Sequence, residues 1–178
     1  MPLSAEQRAA RVKALVFDVD GVLTRGEIIY GDQGEWKVFH SQDGLGFDLA
    51  WRAELKTAFV SGRSSEAVRR RAKDLRVTEV VEGAGEKGAV LLGLLAKLGV
   101  KAEEVAYVGD DLVDLPAMAV AGFPVAVANA SEDVKQAAAW VTTRRGGEGA
   151  AREAIEFVLK ARGLWPEMLQ SYRKVDHD

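Results

Sequence analysis

Asp18 and Asp20 are the side chains whose types and spacing most directly suggest chemistry, in Leu15-Val16-Phe17-Asp18-Val19-Asp20-Gly21-Val22-Leu23-Thr24. Four apolar residues, Ala14 to Phe17, run into this Asp-x-Asp-Gly turn. The run is too short for a helix and is bounded by turn residues, which predicts a buried strand. Side chains two apart on a strand point the same way, so both carboxylates are expected to face one crevice at its C-terminal end. Like charges held that close repel, and a cation or a shared proton relieves them. Taken alone, the stretch could equally be an ordinary Asp-Gly turn. A calcium loop fits worse: the glycine comes too early, and Ile29 stands where the bidentate Glu would be.

Three more groups follow apolar runs. Ser61-Gly62-Arg63 comes after Thr57-Ala58-Phe59-Val60 and offers a hydroxyl and a backbone amide at a helix start, which suits an oxyanion. Lys87 opens an apolar helix, where a cation gains nothing from the helix dipole unless an anion is near. Gly109-Asp110-Asp111 ends Val105-Ala106-Tyr107-Val108, with Asp114 one turn further on. Each group alone is an ordinary turn, surface lysine or acidic loop. Carboxylates, a hydroxyl and a lysine on one rim of one sheet hold complementary roles. Gly83-Ala84-Gly85-Glu86-Lys87-Gly88 matches the dinucleotide fingerprint. It does not follow the first strand of its unit, and Glu86-Lys87 puts bulk and charge at the pyrophosphate turn.

The elements that must position these residues alternate between strand and helix, which predicts an α/β fold: a Rossmann-like parallel sheet with helices on both faces. Residues 1–11 read as a short polar lead with helical composition. Gly26 to His40 reads as a hairpin around a four-residue loop, Gly31-Asp32-Gln33-Gly34. Its apolar residues sit on both faces, so it should pack on something, such as another subunit. Asp43 to Leu55 is expected to be a helix capped by Asp43, with Leu45, Leu49 and Ala53 on one stripe. Further helices are predicted over 65–75, 87–98 and 148–161, with a short one capped by Ser131 and another capped by Asp114 with Pro116 in its first turn. Strands are predicted at 57–60, 77–81, 105–108, 123–127 and 140–141. The tail, 164–178, reads as irregular.

The 178 residues suffice for one domain with a sizeable core, expected over 1–178. A net charge of -3 leaves no basic footprint for nucleic acid. The absence of cysteine removes disulfides, a thiol nucleophile and thiolate metal sites, and two histidines make a histidine-rich zinc site unfavourable. No signal peptide or membrane span is visible, so no membrane partner and a cytoplasmic location are expected.

The four motifs, Asp18-x-Asp20-Gly-x-Leu-Thr, Ser61, Lys87 and Gly109-Asp110-Asp111-x-x-Asp114, occur in the order of the haloacid dehalogenase superfamily, which the chain resembles. Phe39 with Asp43-Gly44-x-Gly46, Ala106-Tyr-Val-Gly-Asp-Asp-Leu-Val-Asp-Leu-Pro116 and Gly146-Gly-x-Gly-Ala150-x-Arg152-Glu153 narrow the resemblance. They are similar to the capless 3-deoxy-D-manno-octulosonate 8-phosphate phosphatases, over residues 12–160. The resemblance implies a Mg²⁺-dependent phosphomonoesterase acting on a small phosphorylated sugar acid. It implies Asp18 as nucleophile, forming an aspartyl-phosphate, and Asp20 as general acid and then base. It implies Mg²⁺ on the Asp18 carboxylate, the Asp20 main-chain carbonyl and Asp110, with waters. Ser61, Gly62 and Lys87 would bind the phosphoryl group, while Asp111 and Asp114 would orient Lys87 or the metal's waters. Arg63, Arg144 or Arg145 could meet a substrate carboxylate. No cap domain fits between the motifs, and capless relatives are homotetramers in which a neighbour's hairpin, here about 24–40, covers the site. The chain departs from the family at Arg25, usually acidic, at Gln42, usually Arg, at Ser61, usually Thr, and in the tail, 164–178; these departures leave the chemistry intact and bear on the sugar recognised. Related capless phosphatases act on nonulosonate 9-phosphates, and a non-catalytic metal-binding subunit is the remaining alternative class.

Overall fold

The computed structural model describes residues 2–32 and 34–173. A short helix, α1 (Ala5–Ala9), leads into the strand β1 (Ala14–Asp18), every residue of which is buried. Such a strand can only be central, and β1 pairs in parallel with β4 (Lys56–Val60) on one side and β6 (Val105–Gly109) on the other. β5 (Glu79–Val81) extends the sheet beyond β4, and β7 (Phe123–Ala126) and β8 (Trp140–Val141) extend it beyond β6. The order is β5-β4-β1-β6-β7-β8, all parallel. The chain leaves β1 toward one edge, through β4 and β5, and returns to the other side at β6. The carboxyl ends of β1, β4 and β6 therefore frame the crevice where open α/β sheets bind ligands.

Helices cover both faces. α1, α2 (Ser41–Arg52) and α7 (Ala150–Ala161) pack together, while α4 (Lys87–Leu98), α5 (Leu115–Val120) and α6 (Glu132–Ala137) form a second group; α3 (Glu66–Asp74) links β4 to β5. Phe47 of α2 sits between Phe17 of β1, 5.1 Å away, and Phe59 of β4, 5.4 Å away, and anchors α2 to the centre of the sheet. Trp140 and Phe157 stack at 4.2 Å where α7 covers the β7–β8 edge.

Several expected boundaries shift for local reasons. The hairpin is β2 (Ile29–Gly31) and β3 (Gly34–Trp36), and Gly31 pairs with Gly34. The expected four-residue loop is thus a two-residue connection, of which Gln33 lies outside the described residues. α2 starts at Ser41, so Asp43 is in its first turn and is not its cap; its buried face is Asp43, Gly46, Phe47, Leu49 and Ala50, while Leu45 is exposed. β5 begins at Glu79, two residues late, because Arg76 turns left-handed (φ 54°) and Val77 donates back to Ala72 of α3. α7 begins at Ala150 because Gly147 and Gly149, at φ 70° and 99°, hold the preceding turn in a conformation no helix adopts. The tail is not irregular where described: α8 (Trp165–Arg173) lies on α7, and residues 174–178 are outside the described part. Among the described residues no helix is long and apolar enough to cross a membrane.

Candidate active site

A cleft of about 360 Å³ opens at the carboxyl end of the sheet. Its walls are Asp18, Asp20 and Gly26 after β1, Gly62 after β4, Ala84, Gly85 and Lys87 before and in α4, and Asp110, Asp111 and Val113 after β6. The segment resembling a dinucleotide fingerprint is therefore one wall of this cleft, and Glu86 caps α4 by accepting from the Gly88 and Ala89 amides.

Lys87 is the first residue of α4 and is buried. Its ammonium lies 2.8 Å from Asp18 Oδ1 and 2.7 Å from Asp114 Oδ1, the anions that its place at a helix start called for. Burial works against its charge, but the two carboxylates outweigh burial and hold the lysine pKa above its ordinary value. Asp114 is 0% exposed and is a hub, with no capping bond to α5. Its Oδ1 accepts from Lys87 and, at 2.8 Å, from the Tyr107 hydroxyl; its Oδ2 accepts from the Asp110 and Asp111 amides at 3.0 and 3.3 Å.

Asp18, Asp110 and Asp114 bring carboxylate oxygens within 4.8 Å of one another. Both oxygens of Asp114 are already engaged, whereas Asp18 is paired with Lys87 through Oδ1 alone, so Asp18 and Asp110 are the two carboxylates with oxygens to offer a cation. Burial first, and then repulsion from neighbouring carboxylates, push both of their pKa values up. Three carboxylates face one lysine, an excess of negative charge that a divalent cation offsets. The hard oxygen donors suit Mg²⁺.

The backbone around Asp20 and Gly21 is held from outside the sheet. The Gly146 amide donates to Asn129 Oδ1 at 2.7 Å, and the Gly147 amide donates to the Val22 carbonyl at 2.9 Å. A Cβ on Gly146 would overlap the Gly21 carbonyl oxygen, so only glycine lets the two loops meet. The Ser131 amide donates to the Asp110 carbonyl at 2.9 Å, so residues 127–131 support the Asp20 and Asp110 loops together.

The other sequence-selected residues fall as follows. Ser61 is buried at the end of β4; its Oγ accepts from the Arg63 amide at 3.1 Å, and the adjacent Gly62 lines the cleft. α3 starts only at Glu66, so the Ser61–Gly62 amides belong to a loop and not to a helix N-terminus. The Asp111 carboxylate accepts from the Leu112 amide and lines the cleft. The Arg63 guanidinium is paired with Glu35 at 2.7 Å. Arg25 pairs with Glu148 at 3.3 Å, and Gln42 accepts from Arg144, so both departures have partners within the chain. Sequence reasoning missed Lys37, which is ion-paired with Asp20 and Glu35. It also missed Tyr107 and Asn129. The alternation Glu35-Trp36-Lys37 leaving the hairpin was the available signal for Lys37.

Residues 76–153 match the model of the haloacid dehalogenase-like hydrolases. The 3-deoxy-D-manno-octulosonate 8-phosphate phosphatase of Haemophilus influenzae is 43% identical over 159 residues, 89% of this chain and 88% of that protein. The chain belongs to this phosphatase family. The Escherichia coli K12 relative is 39% identical over 93% of this chain and 90% of its own length. The structure of the Moraxella catarrhalis phosphatase, in complex with magnesium ion, phosphate ion and KDO, superposes with a TM-score of 0.92 at 39% identity, covering 95% of this chain and 98% of that one. A probable YrbI family phosphatase from Pseudomonas syringae gives 0.93 at 42% identity, covering 96% and 98%. The family carries the capless architecture: a parallel core sheet with a hairpin inserted after β1 and no separate cap.

Proposed function

We propose that this protein hydrolyses 3-deoxy-D-manno-octulosonate 8-phosphate, or a closely similar sugar-acid phosphate, to the free sugar acid and inorganic phosphate. The observation that carries the reading is the Asp18–Lys87–Asp114 arrangement beside Asp110, at the mouth of a cleft whose walls include Asp20. In the first step an Asp18 oxygen bonds to phosphorus as the bond from phosphorus to the sugar oxygen breaks, and Asp20 gives that oxygen its proton. In the second, water attacks phosphorus and gives its proton to Asp20, and the Asp18–phosphorus bond breaks. Lys87, Ser61 and the Gly62 amide take the phosphoryl oxygens, and Asp114 holds Lys87 in place. Asp111, in the cleft wall, orients water there, and Arg63 meets a substrate carboxylate with guanidinium donors that Glu35 does not use. Asp18, Asp110 and the Asp20 carbonyl would hold Mg²⁺, which would supply charge neutralisation between the anionic nucleophile and its anionic target.

The reading makes residues 1–178 one hydrolase domain. It also includes a cytoplasmic setting, because a multiply charged sugar phosphate does not cross a bilayer unaided. It includes a homotetramer too, supported by the exposed apolar residues of the hairpin, Tyr30, Trp36 and Val38.

Phosphate release from a panel of sugar phosphates, for wild type and Asp18→Asn, tests the reading. Turnover of the octulosonate 8-phosphate that needs Mg²⁺, stops with EDTA and falls by several orders of magnitude in Asp18→Asn is the expected result. Preference for a nonulosonate 9-phosphate would keep the mechanism and move the substrate. No turnover across the panel by a Mg²⁺-bound protein would favour a non-catalytic role.

A further inference from the structure

Two lysines each clamp a carboxylate of the cleft, and the mechanism above uses only one of them. Lys87 lies between Asp18 and Asp114. Lys37, just beyond β3, lies between Asp20 and Glu35, with its side chain 1% exposed. The other oxygen of Glu35 accepts from Arg63 at 2.7 Å, so the hairpin, the Asp20 turn and the loop after β4 are joined by four alternating charges. Burying an ammonium between carboxylates costs desolvation of every member, and the arrangement repays that only when its geometry is kept. Lys37 is not among the residues that line the cleft, whereas Asp20 is. The lysine therefore braces Asp20, with its ammonium already engaged by two carboxylates. Asp20 also lies beyond the end of β1, where sheet pairing no longer fixes the backbone.

We propose that Lys37 is a positioning residue: it fixes the Asp20 carboxyl group toward the scissile ester, so that its proton reaches the leaving sugar oxygen as the phosphorus–oxygen bond breaks. This rests on the reading of Asp20 as the acid. The hairpin then has a function within its own subunit, since the segment leaving β3 sets the orientation of the acid.

The leaving group separates this role from a merely structural one. A sugar alkoxide must be protonated to depart, and p-nitrophenolate departs without help. Lys37→Met keeps the length of the side chain and removes its charge. The ratio of kcat on the octulosonate 8-phosphate to kcat on p-nitrophenyl phosphate should fall about tenfold or more in this variant, since a general acid is worth about 10²–10⁴. Lys37→Arg should restore most of the ratio. Asp20→Asn, run in parallel, should lower the same ratio further. An unchanged ratio in Lys37→Met, beside a lowered one in Asp20→Asn, would overturn the positioning role alone. An unchanged ratio in Asp20→Asn would overturn the acid assignment and this proposal with it. Should Lys37→Met fail to fold by circular dichroism, Glu35→Gln, which loosens the same clamp from its far side, is read against the same ratio with the same two outcomes.

Discussion

Outside the cleft, Asp43 is a residue whose burial works against the fold at neutral pH. It is 3% exposed; Oδ1 accepts from the Arg152 amide at 2.8 Å, and Oδ2 has no hydrogen-bond partner among the described residues. Burial raises its pKa, against the weaker pull of that amide and of His40, Arg71 and Arg144. In the unfolded chain the group loses its proton near about pH 4. Above that pH the unfolded state has released a proton that the folded state keeps, so Asp43 lowers stability as pH rises until the folded group ionises too. Asp43→Asn keeps the acceptor for Arg152 and removes the titration. Urea unfolding should show the variant more stable than wild type at neutral pH, with the gap closing toward about pH 4; an equal gap at both ends would contradict this account. The motif residues were legible because the carboxylates and the hydroxyl each follow an apolar strand and the lysine opens an apolar helix. Tyr107 was not: in Val-Ala-Tyr-Val it reads as core, and its partner Asp114 comes together with it only once the turn after β6 has formed. Local sequence makes Asp114 a helix cap, but it makes no capping bond, whereas the family resemblance points it at Lys87, where it lies; Tyr107 as its second partner is announced by neither.

At the scale of elements, the hairpin is where the isolated chain is least complete. Ile28, Ile29, Tyr30, Trp36 and Val38 are all exposed, on a two-stranded unit too small to be stable alone. Lys37 ties its base to Asp20, and the outer apolar side is exposed, as the proposed tetramer requires. Light scattering should therefore give a tetramer at micromolar concentration, and Trp36→Asp should shift it to smaller species with the far-ultraviolet circular dichroism retained. A wild-type monomer under those conditions would contradict the assembly. The long helices and the six core strands were legible to within a few residues, with α4 correct at both ends, because periodicity and terminal glycines mark them. α8 escaped notice because Trp165-Pro166-Glu167-Met168 follows Gly163 and carries no N-cap residue. Its amphipathic face is made useful by α7, a tertiary partner that local pattern does not reveal.

At the scale of the molecule, strand order gathers the chemistry. β1 lies between β4 and β6, so residues as far apart in sequence as Asp18, Gly62, Lys87 and Asp110 reach one cleft. The alternation of strands and helices foretold a parallel sheet; the loops that brace it were less legible. Gly146 against Gly21 is a contact between segments 125 positions apart, and glycine runs look alike whether they flex or pack. The central claim is that this rim transfers phosphoryl groups through Asp18, and trapping the intermediate tests it most directly. p-Nitrophenyl phosphate carrying radiolabelled phosphorus, whose leaving group departs without a proton, is mixed with Mg²⁺ and the Asp20→Asn variant, whose second step is slowed by loss of its base, then quenched in acid and mapped by peptide. The account predicts label on the peptide containing Asp18, and none when Asp18→Asn is added to the same variant. Release of labelled phosphate with no protein-bound label, or label retained without Asp18, would contradict it.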